Sequence, residues 1–150
     1  GGRLMDKARH HLHVYIGALF AVGMLMLVPL LGPAIESTAA PIITGASVVR
    51  QARDGDLAVF VLQGNRHRAE CQYEGIVAMV RGRSSLPEAR PVITPFAKAV
   101  KPVSRPPGPQ VFGEWRLQSQ PGDSVTFVLR YSCHALWDTM VSIGPLEVEL

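Results

Sequence analysis

Val14 to Leu31 reads VYIGALFAVGMLMLVPLL, eighteen residues without a charge, and Leu12 with His13 extends the uncharged run to twenty. As a helix rising about 1.5 Å per residue it spans roughly 30 Å, the thickness of a bilayer's hydrocarbon core. A core helix of a soluble protein would carry a polar face, and this run carries none. It predicts one transmembrane α-helix over residues 12–35, with its apolar body between Leu12 and Leu31. Pro29 near the far end and Gly32-Pro33 after it predict that the helix stops there, leaving residues 36–41 as a linker. Tyr15 suits the near interface.

Arg3, Lys7 and Arg9, opposed by Asp6 and joined by His10, His11 and His13, precede the run, and the first cation after it is Arg50. The positive-inside rule then predicts a cytoplasmic basic tail over residues 1–11 and a C-terminal domain that is periplasmic or extracellular. Gly1 to Leu4 precede Met5, which reads as a start residue. A cleavable signal peptide is the competing reading, with small residues at Ser37-Thr38-Ala39 and cleavage before Ala40. Its apolar region is usually about 7 to 15 residues, shorter than this one, so a retained signal-anchor is expected.

The formal charge of +3 and a pI near 9.2 suggest a nucleic-acid partner only until the charges are located. From Glu36 onward 12 Lys and Arg face 11 Asp and Glu, with no basic stripe. No nucleic acid is therefore expected as partner, whereas the bilayer is.

From Ile42 the chain changes to short runs rich in β-branched and aromatic residues, punctuated by turn chemistry. Strands are predicted at Ile43 to Gln51, Leu57 to Gln63, Ala69 to Val80, Pro91 to Val100, Val111 to Gln118, Ser124 to Cys133, and Val141 to Leu150. Between them lie Asp54-Gly55-Asp56, Gly64-Asn65, Arg81 to Arg90, Pro102 to Pro109, Gln120 to Asp123, and a loop around Leu136 to Thr139. Alternation sets Val111, Gly113, Trp115 and Leu117 against Phe112, Glu114 and Arg116, and Val125, Phe127, Leu129 and Tyr131 against Thr126, Val128 and Arg130. Leu57 to Leu62 is apolar throughout, which suits a central strand. The expected fold over residues 42–150 is all-β, a seven-stranded antiparallel β-sandwich, with a barrel second.

An immunoglobulin-like architecture is worth testing, because Cys71 and Cys133 are 62 positions apart and Tyr131-Ser132-Cys133 has the Tyr-x-Cys form. No Trp follows Cys71 at the matching distance, so the sandwich architecture is expected without membership of that family.

Cys71 and Cys133 are the only cysteines, and in an exported domain two such residues predict a disulfide. A metal site from His67, Cys71, Cys133 and His134 lacks the spacing of a zinc motif, so no metal or cofactor is expected. Arg66, His67 and Arg68 follow the Gly64-Asn65 turn signal and read as an exposed cationic loop tip, a possible partner contact. Arg105, Pro106 and Pro107 belong to a segment with four prolines between Pro102 and Pro109, where polyproline II geometry could meet a partner or simply stiffen a connection. Trp137 is expected in the core. No nucleophile-elbow, phosphate-loop or HExxH pattern occurs, so no enzyme and no small-molecule substrate is expected. The function these features predict is a binding or assembly module on a single-pass anchor, an accessory subunit meeting a protein partner in the envelope. A secreted binding domain and a metal-handling or hydrolytic domain are the alternatives.

Overall fold

A computed structural model describes residues 2–83, 85–94 and 106–149. Among the described residues one helix, α1 (Gly2–Ala39), leads into seven strands: β1 (Ile43–Asp54), β2 (Leu57–Arg66), β3 (Gln72–Arg81), β4 (Glu88–Pro91), β5 (Gly108–Gln118), β6 (Ser124–Ser132) and β7 (Asp138–Glu147). The strands form two antiparallel sheets, β1-β2-β5 and β4-β3-β6-β7, packed as a sandwich rather than a closed barrel.

The helix outlasts its own stop signals. Pro29 and Pro33 both lie inside it, and Ala40 N closes the last turn on Glu36 O, so most of the expected linker is helical. Proline weakens a helix by removing one backbone donor and crowding the preceding turn. Here the segment beyond Pro33 is held from outside, because α1 packs against β7. Local propensity is a weak prior against such tertiary contacts.

The sandwich interior is built on aromatic packing between the sheets. Phe127 of β6 meets Phe60 of β2 and Trp115 of β5 edge-on, with ring centroids 5.4 and 5.1 Å apart. Leu62, Leu117, Leu129, Val80 and Val125 complete the layer, all 2% exposed or less. At about 25 cal/mol per Å² of apolar surface, burial of this layer is the main stabilising contribution. β2, uninterrupted in its apolar run, is the middle strand of its sheet as its pattern predicts.

Several boundaries differ from the sequence reading. Gly64-Asn65 is not a turn but part of β2, which continues to Arg66; a Cβ at Gly64 would stand 3.0 Å from Ile43 and Phe112 atoms, so the glycine serves close packing between strands. In β5 the alternation changes phase: Phe112 is buried and Val111 is 52% exposed, the reverse of the simple pattern. The register steps from Val61↔Glu114 to Gln63↔Val111, and Gly113, at φ 89°, supplies the extra bulge residue. β3 begins at Gln72 rather than Ala69, so the cysteines flank strands instead of lying within them. The fourth strand is Glu88–Pro91, and Ile93 then bridges to Arg116 of β5, carrying the chain from one sheet to the other. The expected strand from Pro91 to Val100 lies from position 95 onward outside the described residues, as does Arg105. Asp138 and Thr139, expected in a loop, open β7.

A clamp between helix and sandwich

Cys71 and Cys133 are bonded, with Cα atoms 4.0 Å apart. They stand just outside the Gln72↔Ser132 pair of β3 and β6, so the bridge ties two neighbouring strands of one sheet. The immunoglobulin bridge joins two sheets, so the comparison ends at the architecture. With both sulfurs in the bridge, neither is a thiolate ligand, and among the described residues no group of three His, Cys, Asp or Glu is placed to hold a metal.

Around this end of the sandwich, side chains converge on Glu36 of α1. Its side chain is 10% exposed, and its carboxylate accepts from three residues distant in sequence, with a fourth, His134, at hydrogen-bond distance. Arg68 Nη1 donates to Oε1. Thr139 Oγ1 and Trp137 Nε1 donate to Oε2 at 2.5 and 2.8 Å, and His134 Nε2 stands 3.2 Å from the same oxygen. Burial pushes the Glu36 carboxyl up, but the hydrogen bonds from Thr139, Arg68 and Trp137 and the charge of Arg68 outweigh it and hold the pKa at about 2. Arg68 also pairs with Glu70 at 2.6 Å, and both carboxylates raise the guanidinium pKa further.

The helix meets this cradle through a glycine. A Cβ at Gly32 would lie 2.6–2.8 Å from three ring carbons of Trp137, closer than real Cβ contacts occur. Trp137 is thus fixed on three sides: Gly32 under its ring, Glu36 at its N–H, and the His134 ring edge-on at a centroid distance of 4.2 Å. Gly32→Val is expected to destabilise the domain by about 1 to 3 kcal/mol through overpacking, read as a lower thermal midpoint in detergent. Gly23→Val, where nothing lies within 4 Å, should leave that midpoint unchanged.

The expected cationic loop tip divides into three different environments. Arg66 is 3% exposed, not solvated: Nη2 donates to Cys71 O, Nε donates to Arg68 O at 3.2 Å, and the guanidinium sits 5.9 Å from the Tyr131 ring centroid. The error follows from the misplaced turn, since extending β2 to Arg66 carries that side chain inward. His67 is exposed and bonded to Thr44 Oγ1 at 2.6 Å. Arg68 is committed to Glu36 and Glu70. Pro106 and Pro107 are exposed, with Pro106 O accepting from Gln110. Trp137 belongs to the clamp, while Trp115 is the core tryptophan.

Sequence reasoning missed Glu36, although one signal was available: it is the first acid after Asp6 and the first charged residue beyond the apolar run. At the opposite end of the sandwich a polar cavity of about 680 Å³ is lined by Arg53, Asp56, Glu88, Arg90, Ser119 and Asp123 among others, with no histidine or cysteine among the described residues that line it. Its arginines are engaged: Arg53 donates to Ser119 O and Arg90 to Gln118 O and Glu88.

Compared with known proteins, the chain matches no family model, no curated sequence and no solved structure.

Proposed function

We propose that the chain is a single-pass membrane protein with a cytoplasmic N-terminus, whose extracytoplasmic β-sandwich is a binding or assembly module serving a membrane or envelope complex. α1 has the length and hydropathy of a membrane span, and the disulfide is consistent with an oxidising compartment. The observation that carries the reading is the Glu36 clamp. A domain on a slack linker samples all orientations above a bilayer, whereas one bound at the helix end presents a fixed surface at a fixed height. Such pre-organisation lowers the entropy lost on meeting a partner in the same membrane, and does little for a freely diffusing domain.

The same clamp weighs against the secreted alternative. Cleavage before Ala40 would remove Glu36 and leave Trp137 and Thr139 without the acceptor of their hydrogen bonds. The test combines intact mass with protease access. The expected result is an uncleaved chain in the membrane fraction whose sandwich is digested by protease added to spheroplasts, and which gives one discrete heterologous adduct on crosslinking in native membranes. A mature chain starting at Ala40 in the soluble fraction would replace this reading with the secreted one, and a domain digested only after lysis would reverse the topology.

A further inference from the structure

We infer that the loop between β6 and β7, led by Leu136 and Trp137, rests in the headgroup layer of the bilayer and forms a second, interfacial contact beside the helix. The inference rests on the membrane-spanning reading of α1 and adds to it where the domain sits.

The depth of the loop follows from helix register. The apolar run ends at Leu31, and Gly32 is one rise of about 1.5 Å further on. The Trp137 ring packs against Gly32, so the loop stands level with the end of the hydrocarbon-matching segment. That level is the membrane–water interface, where Trp is enriched because its ring is apolar and its N–H needs a polar partner. The Trp137 N–H has one in Glu36.

Leu136 gives the loop its apolar tip. It is 70% exposed, beside the exposed Ala135. One exposed leucine means little by itself, but its position one residue from an interfacial tryptophan gives it an apolar medium within reach. Ile35, on the last turns of α1, is 63% exposed at the same end. The neighbouring acids do not oppose this placement: Glu36 and Glu70 pair with Arg68, and Asp138 lies 3.7 Å from Arg130. The charge facing the headgroups from this loop is therefore small.

The test uses the full-length protein in vesicles of phosphatidylcholine and phosphatidylglycerol, with a nitroxide attached singly through Leu136→Cys, Ala135→Cys, Leu86→Cys or Leu25→Cys under non-reducing conditions. Leu86, 88% exposed in the β3–β4 connection at the far end of the sandwich, reports water, and Leu25 reports the span. Power saturation should give labels at 136 and 135 a severalfold higher ratio of oxygen to nickel-chelate accessibility than the label at 86. Labels at 135 and 136 as open to nickel as that at 86, with Leu25 lipid-embedded, would overturn the interfacial contact and leave the span standing. A water-accessible label at 25 would overturn the span itself. Protection of 136 in native membranes but not in pure lipid would assign the loop to a protein partner and overturn the lipid contact.

Discussion

Replacing Cys71 and Cys133 together with alanine is expected to destabilise the sandwich by about 4 kcal/mol, the chain-entropy value for a loop of this length. The bridge spans 62 positions, and without it the unfolded chain regains the freedom of that loop. For a domain near this size each kcal/mol shifts the thermal midpoint by about 4 °C, so a fall of about 15 °C is expected in detergent. Alanine is the informative substitution, because Cys71 is fully buried and a serine there would add an unsatisfied hydroxyl to the loss of the bridge. The strands it ties are already paired at Gln72↔Ser132, so the fold should survive at low temperature with β3 and β6 in register. Circular dichroism against temperature decides the point: a midpoint within a few degrees of the parent would show that the closed loop contributes little.

What could be read in the chain, and what could not, divides by the range of the interactions. The apolar helix and the all-β pattern are local signals: α1 contains the apolar run but extends beyond the expected 12–35 at both ends, from Gly2 to Ala39, and the strands form the expected two-sheet sandwich. The alternation in β6 holds without exception for Val125, Phe127, Leu129 and Tyr131 because β6 itself carries no extra residue: the register steps beside it fall in its partners, at Tyr73 to Gly75 of β3 and Ile143 to Leu146 of β7. It fails in β5 because one extra residue at Gly113 reverses the faces, and a bulge leaves no mark on composition. Gly64-Asn65 carries a turn signature yet lies in a strand, where a Cβ at 64 would press to 3.0 Å on Ile43 and Phe112, so the glycine eases their close approach. That error also placed Arg66 in solvent rather than against Cys71 O and Tyr131. The clamp was least legible. Glu36 meets Arg68 across 32 positions and Thr139 across 103, and no periodicity connects residues that only the folded sandwich brings together.

The clamp also explains why the helix end was misread. Gly32-Pro33 is a stop signal for a helix that ends in water. Here the last turns are bound through Glu36 and Gly32, and contacts with four side chains of the sandwich offset the missing proline donor. The two misreadings share one cause, which makes Glu36 the residue whose change should matter most for the junction.

Glu36→Ala is accordingly expected to separate the last turns of the helix from the sandwich, at a cost of about 2 kcal/mol for a partly exposed carboxylate with several charge-assisted hydrogen bonds. Trp137 and Thr139 would lose their acceptor, while Arg68 would keep Glu70. The thermal midpoint should fall by about 8 °C, and proteolysis within residues 37–41 should become severalfold faster. Glu36→Gln retains an acceptor oxygen without the charge and should lie between the two. The pH dependence separates the charge from the shape. The carboxyl ordinarily titrates near 4.5 and is held at about 2 in the folded chain, so its stabilisation is complete above 4.5 and declines as the pH falls from there through about 2. Protease sensitivity of the parent should therefore rise across that window, while Glu36→Gln, already sensitive at neutral pH, should show no step. A parent chain as resistant at pH 2.5 as at pH 7, or a step of equal size in the glutamine variant, would locate the attachment of the helix elsewhere than in the Glu36 carboxylate.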